Sequence, residues 1–177
     1  YSFGQLNGTY TIGSGGDYAT INEAVSDLET QSVSGPVTMN LLDGTYREQI
    51  EINQITGTSD VNTVTFQSQS ADSSSVILIH EAGSEEDNFI LRFNGPSHLI
   101  FRQLSFRTAR TSFGRAVYFE NFTQYVEFHN CDFRGISYTG KAYQYHLIYC
   151  NNVNIDYLTF ANCHIDSCAS PISLSSG

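Results

Sequence analysis

The chain has 177 residues, 40% of them hydrophobic and only 15% charged, which is enough for one domain with a core and hardly enough for two. Its formal net charge is −10, with Lys141 the single lysine, and this argues against nucleic acid or another polyanion as a partner. No apolar run approaches the roughly 20 residues of a membrane span, and the abundance of Ser, Thr, Asn, Gly and Tyr fits a secreted or cell-surface protein.

The chain opens on Tyr1 with no start methionine and no leader, so a trimmed or processed protein is expected. The first element is DYATINEAVSDL, residues 17–28. Thr20 followed by Glu23 is a capping box, and Ile21, Ala24, Val25 and Leu28 share one face. A short amphipathic helix is therefore predicted within 17–30, with an apolar stripe suited to covering an open sheet end. After the Ser-Gly-Pro break at 34–36 come VTMNLL, GTYREQIEI, NTVTFQSQ and SVILIH, separated by Gly, Asp and Ser clusters and read as strands. The acidic run Glu85, Glu86, Asp87 lies in a Gly/Ser connection and predicts a solvated loop rather than a calcium site.

Beyond residue 90 the elements repeat. ILRFN, AVYFEN and LIYCNN align Phe93, Phe119 and Cys150 in one column; LIFRQLSFRT, VEFHNCDFRG and LTFANCHIDS align Phe106, Phe133 and Ile165 in another. Both columns step by roughly 30 residues, a period that marks stacked repeat architectures. Apolar residues alternate within each copy: Leu99 and Phe101, Val126 and Phe128, Leu158 and Phe160. After a slip of one come Leu104 and Phe106, Cys131 and Phe133, Cys163 and Ile165. The slip falls at Gln103, Asn130 and Asn162, where the chain must bend if both strands are to face one interior. Short strands of this kind cannot bury their inner face alone and need a neighbour above and below. The fold class is thus all-β, a parallel β-helix solenoid with one short N-terminal capping α-helix, read as a single domain over 1–177 with rungs at 37–177. PISLSSG begins a further inner strand in which Leu174 continues the column of Cys150. The last rung is then incomplete, and either the natural chain continues or this end abuts another chain.

Stacking superimposes equivalent residues. Asn130 and Asn162, below Gln103, are expected to point inward as an asparagine ladder, which spares each buried amide a cost of about 1–3 kcal/mol. Cys131 and Cys163 stack beside them. In-register Cβ vectors run parallel, so these two, with Cys150 and Cys168, are expected to stay reduced. No zinc-site spacing is present.

The succession TINEAVSDL, VTMNLLDGTYREQIEI, VILIH, LIFRQLSF and AVYFENFTQYVEFHNCDFRG, over residues 9–135, resembles the N-terminal half of pectin methylesterases and the wider right-handed β-helix, pectin-lyase-like group. The resemblance implies a right-handed coil. It would imply esterase chemistry only with a glutamine before the AVY-like strand, a second in a GYQDTL-like turn, and an aspartate nucleophile in a DFIFG-like strand. Here Arg115 precedes AVYF, GISYTG stands at the turn and FANCHID at the strand. Pectin methylesterase activity is therefore not expected, and no catalytic residue, metal or cofactor is assigned.

Asp132 and His164 share an outward column with Ser105, and His129 lies beneath Arg102 in the neighbouring one; surface hydrogen bonds or ion pairs are expected of them. The better candidate is the outer face of the other stacked strand, where Arg92 and Asn94, Tyr118 and Glu120, then Tyr149 and Asn151 face out. Stacked tyrosines flanked by Arg, Glu and Asn suit sugar rings and their hydroxyls, and the loop YTGKAYQY, with Tyr138, Tyr143 and Tyr145, is placed to overhang them. Packing of the tyrosines on one another is the alternative.

These features point to a noncatalytic extracellular or cell-surface module for adhesion or carbohydrate contact, with a polysaccharide or surface glycan as partner. Two alternatives stand: a polysaccharide-active lyase, esterase or hydrolase with atypical or missing catalytic residues, and a structural subunit of a surface filament that self-associates through the open C-terminal rung.

Overall fold

The computed structural model describes residues 4–109, 114–136, 146–151, 153–166 and 172–175. Strand β1 (Leu6–Ile12) and helix α1 (Ile21–Gln31) precede a coil that advances by three strands per turn. The first turn holds β2 (Val33–Leu41), β3 (Gly44–Tyr46) and β4 (Ile50–Asn53). The second holds β5 (Val64–Ser68), β6 (Val76–His80) and β7 (Leu91–Asn94), and the third β8 (Ser97–Arg102), β9 (Ser105–Thr108) and β10 (Val117–Asn121). β11 (Thr123–His129), β12 (Asp132–Arg134) and β13 (Ile148–Asn151) form the fourth, and β14 (Ile155–Ala161), β15 (His164–Asp166) and β16 (Ile172–Ser175) the fifth. Each strand hydrogen-bonds in parallel to its counterpart one turn away, giving three sheets: β1-β2-β5-β8-β11-β14, β3-β6-β9-β12-β15 and β4-β7-β10-β13-β16. The protein is a parallel β-helix of about 5 turns.

The registers match the sequence columns. Phe93 pairs with Phe119 and Phe119 with Cys150; Phe106 pairs with Phe133 and Phe133 with Ile165; Cys150 faces Leu174. One phenylalanine column runs through Phe66, Phe101, Phe128 and Phe160, with ring centroids 5.5, 5.0 and 5.0 Å apart and nearly parallel planes. Phe93 stacks on Phe119 at 5.0 Å and Phe106 on Phe133 at 4.9 Å. The columns meet edge to face, as where Phe128 contacts Phe93 and Phe106, the geometry favoured by the ring quadrupole.

Helix α1 covers the first turn with Ile21, Ala24, Val25 and Leu28 buried, and its capping box is formed, Thr20 accepting from the Glu23 amide. The GTYREQ hexapeptide is the fitting between helix and coil. Tyr46 places its hydroxyl 2.9 and 2.7 Å from the carbonyl oxygens of Ile12 and Leu42. Glu48 accepts from the amides of Ile21 and Asn22, each at 3.0 Å, and so neutralises free N–H groups at the positive end of the helix. Gln49 donates to the Asp87 carbonyl at 2.8 Å. Among the described residues no helix is long and apolar enough to cross a membrane.

The bend amides depart from expectation. Gln103, Asn130 and Asn162 occupy the left-handed region, with φ of 55°, 53° and 54°, and Asn130 and Asn162 are exposed rather than turned inward. Asn is suited to this place because it tolerates left-handed φ better than most residues. The stacking there runs through the backbone, the Gln103 amide donating to the His129 carbonyl and the Asn130 amide to the Ala161 carbonyl, both at 2.9 Å. An asparagine ladder exists at another corner, where the third sheet ends. Asn121 donates to Asn94, Asn94 donates to Asn53 at 2.7 Å, and Asn53 is capped by Glu29 of α1, whose carboxylate accepts from the Asn53 amide at 2.8 Å.

A second left-handed column lies inside the first sheet. His98, Tyr125 and Tyr157 have φ of 57°, 54° and 56°, and their rings stack at 4.6 Å in both steps. Tyr157, on the last strand of this sheet, is 69% exposed.

Two stability tests follow from these contacts. Glu48→Ala is expected to lower the unfolding free energy by about 1–2 kcal/mol in urea denaturation, as loss of a helix cap does; an unchanged midpoint would assign the cap to solvent. Asn94→Ala removes the middle of the ladder and is expected to cost about 1 kcal/mol, whereas Asn130→Ala, which breaks no such bond, is expected to show only the smaller strain of a left-handed alanine.

Candidate functional site

Outward residues of the third sheet form a register column of Glu51, Arg92, Tyr118 and Tyr149. Consecutive turns thus set one charged pair and two phenols side by side without any loop having to position them. Arg92 pairs with Glu51 and lies 3.4 Å from Glu120, and its guanidinium rests 4.5 Å from the centre of the Phe89 ring. Tyr118 and Tyr149 are tilted neighbours at 5.7 Å.

Four of the residues expected at a binding face, Arg92, Tyr118, Glu120 and Tyr149, line one cleft of about 410 Å³. Three further residues complete it: Glu85, Glu86 and Arg115. Arg115 stands at the entrance to β10, its backbone amide donating to the buried Asn88 side chain at 3.0 Å. Its own side chain is 5% exposed and bonded to Glu85 at 2.6 Å. The guanidinium lies over Tyr149 at 4.0 Å and near Tyr118 at 5.4 Å. A cation on a phenol face with a carboxylate on its rim is a stable way to hold a nearly buried arginine. One face of Tyr149 is thereby taken.

The acidic run is folded rather than loose. Asp87 accepts from the amides of Gly83 at 3.0 Å and Ser84 at 2.6 Å, and these bonds hold its carboxyl below the usual range. That turn sends Glu85 to Arg115 and Glu86 to the cleft wall. Glu85 and Glu86 are exposed on this connection, as the solvated-loop reading expects, and the turn in addition brings them beside Arg115 at the cleft. The nearest sequence signal for Arg115 was its place directly before a strand whose outward residues were already candidates.

Asn94 is spent on the ladder with Asn53 and Asn121 rather than on the cleft. Asn151 continues β13 by register; its side chain, and the loop 138–145 with Tyr138, Tyr143 and Tyr145, lie outside the described residues.

The second sheet carries the expected Ser105, Asp132, His164 column. Asp132 accepts from Arg134 at 2.5 Å and lies 3.0 Å from His164 Nδ1 and 3.5 Å from Ser105 Oγ. The serine contacts the aspartate and Arg107 and not the histidine, so these residues do not form a serine–histidine–aspartate relay. His129 pairs with Glu127 at 2.7 Å. Cys131, Cys150 and Cys163 are free thiols, and Cys168 lies outside the described residues. Cys131 donates to the carbonyls of Phe101 and His129 at 3.6 and 3.5 Å and Cys163 to those of Phe128 and Ala161 at 3.3 and 3.6 Å; the proximity of the two thiols pushes Cys131 up and Cys163 down. Among the described residues no group of three or more His, Cys, Asp or Glu side chains is placed to hold a metal ion.

No protein-family model matches the chain, and no curated protein does. Solved structures do. Pectin methylesterase PemA from Erwinia chrysanthemi is similar with a TM-score of 0.53 at 13% identity, over 90% of this chain and 54% of that one. The pectin methylesterase from Aspergillus niger is similar in two forms, with TM-scores of 0.44 and 0.45 at 16% and 13% identity, over 98% and 97% of this chain and 71% and 91% of those. This chain thus spans about half the length of the Erwinia enzyme and shares with it the parallel β-helix fold.

Proposed function

We propose that the protein is a noncatalytic extracellular or cell-surface β-helix module that contacts carbohydrate through the cleft on its third sheet. The observation that carries this reading is the assembly of Arg92, Tyr118, Glu120 and Tyr149 from successive turns into one cleft, closed on its side by Arg115. A saccharide is mostly hydroxyls on a rigid ring, and a wall of guanidinium, carboxylate and phenol groups matches them with donors and acceptors in fixed places.

The same cleft speaks against esterase chemistry. Arg115 stands where the resemblance calls for an oxyanion glutamine, and it is bonded to Glu85 rather than open to a reacting carbonyl. Glu120 and Glu85 are each engaged with an arginine. The fold shared with pectin methylesterases supports a carbohydrate-related role, with polysaccharide as the natural class of partner. An outer-face cleft on a rigid coil also suits a surface location, where such polymers are met.

Glycan-array binding followed by calorimetry is the test. Wild type is expected to bind a defined set of oligosaccharides, and Tyr118→Ala/Tyr149→Ala to lose about tenfold or more in affinity, the scale of a 1.4 kcal/mol contact. Absence of binding by the wild type, or equal binding by both proteins, would discard the cleft as a carbohydrate site.

A further inference from the structure

We infer that this cleft selects a sugar bearing a free amino group, an inference that rests on the carbohydrate reading above. Each guanidinium in it already has its carboxylate: Arg115 holds Glu85 at 2.6 Å, and Arg92 holds Glu51 and lies 3.4 Å from Glu120. Against these two cations stand Glu51, Glu85, Glu86 and Glu120, so negative charge is in excess, and Glu86 has no cation at ion-pair distance among the described residues. A uronate entering here meets that excess and gains a partner only by taking an arginine from a carboxylate in a partly desolvated site. An ammonium group meets carboxylate oxygens without breaking any existing pair.

A second feature is independent of charge. Arg115 lines the cleft with its side chain 5% exposed, and its Nε has no hydrogen-bond partner among the described residues. A buried donor in this condition costs stability, and a ligand that shifts the Arg115 side chain enough to uncover Nε supplies the acceptor through a hydroxyl beside the amine. At longer range the formal net charge of −10 draws cationic saccharides and repels polyanions, within a Debye length of about 8 Å at physiological salt.

Calorimetry on the whole chain with glucosamine, N-acetylglucosamine and galacturonate tetramers, at low and physiological ionic strength, tests the inference. The glucosamine tetramer is expected to bind about tenfold more tightly than its acetylated counterpart, with the margin narrowing as salt rises, and the galacturonate tetramer to bind weakest. Glu86→Gln and Glu120→Gln are each expected to shrink the margin several-fold, with thermal melts confirming the fold, while Asp60→Asn, an equal charge change in the loop after β4, leaves it. Equal affinity for amine and acetylated forms, a galacturonate tetramer that binds as well as either, or a margin reduced as much by Asp60→Asn would overturn the inference. If acetylated sugar binds without an amine margin and Tyr118→Ala/Tyr149→Ala abolishes it, selectivity falls and the carbohydrate reading stands. If no tetramer binds, or the double variant binds like wild type, both fall.

Discussion

In-register parallel pairing is the constraint on which the molecule depends. Each strand finds its hydrogen-bond partners in the turn before and the turn after, roughly 4.8 Å away, so whatever faces inward at one level must tolerate its own kind at the next. Phenylalanine does, stacking face to face through Phe66, Phe101, Phe128 and Phe160. Polar residues at the corners either bond to one another, as among Asn53, Asn94 and Asn121, or turn out to solvent, as Asn130 and Asn162 do. The ends of such a stack have one neighbour instead of two, and α1 with its Glu48 and Glu29 contacts serves the first turn in place of a missing rung.

The same constraint builds the cleft. Glu51, Arg92, Tyr118 and Tyr149 are brought together by register alone, which fixes their spacing more firmly than a loop would. Two corner features then enclose them: the turn organised by Asp87, and Arg115 held by Asn88 at the start of β10. Rigid sheet supplies one wall and short connections supply the other, a division common to sites on repetitive scaffolds.

Much of this was legible because strand periodicity and stacking leave direct marks. The Phe93 and Phe106 columns, the Ser105, Asp132, His164 column and the outward placement of four cleft residues are legible from alternation and repeat spacing, and the helix from its capping box and its Ile21, Ala24, Val25, Leu28 stripe. What was missed lay where alternation carries no information. β1 has only Leu6 and Ile12 buried, at its two ends, with Gly8 at φ 87° between them, so no period shows. Asn130 was turned the wrong way because a slip of one residue marks a bend without saying that a left-handed φ directs the side chain outward. The true ladder includes Asn121, whose pairing with Asn94 follows a register shift after Phe119, and a shift hides equivalence. The aromatic column at 98, 125 and 157 keeps register but is hidden for a different reason, since each member sits in left-handed conformation within a strand and breaks its alternation.

That aromatic column also gives the chain an intrinsic optical label. With no tryptophan present, near-ultraviolet absorption belongs to tyrosine and phenylalanine, and the almost parallel, stacked pair of Tyr125 and Tyr157, tilted by 5° at 4.6 Å, brings two transition dipoles into close coupling. Such coupling exists only while β11 and β14 keep their register. The part of the near-ultraviolet dichroism that Tyr125→Phe or Tyr157→Phe removes therefore reports on the order of these two coils, separately from the backbone signal of the whole.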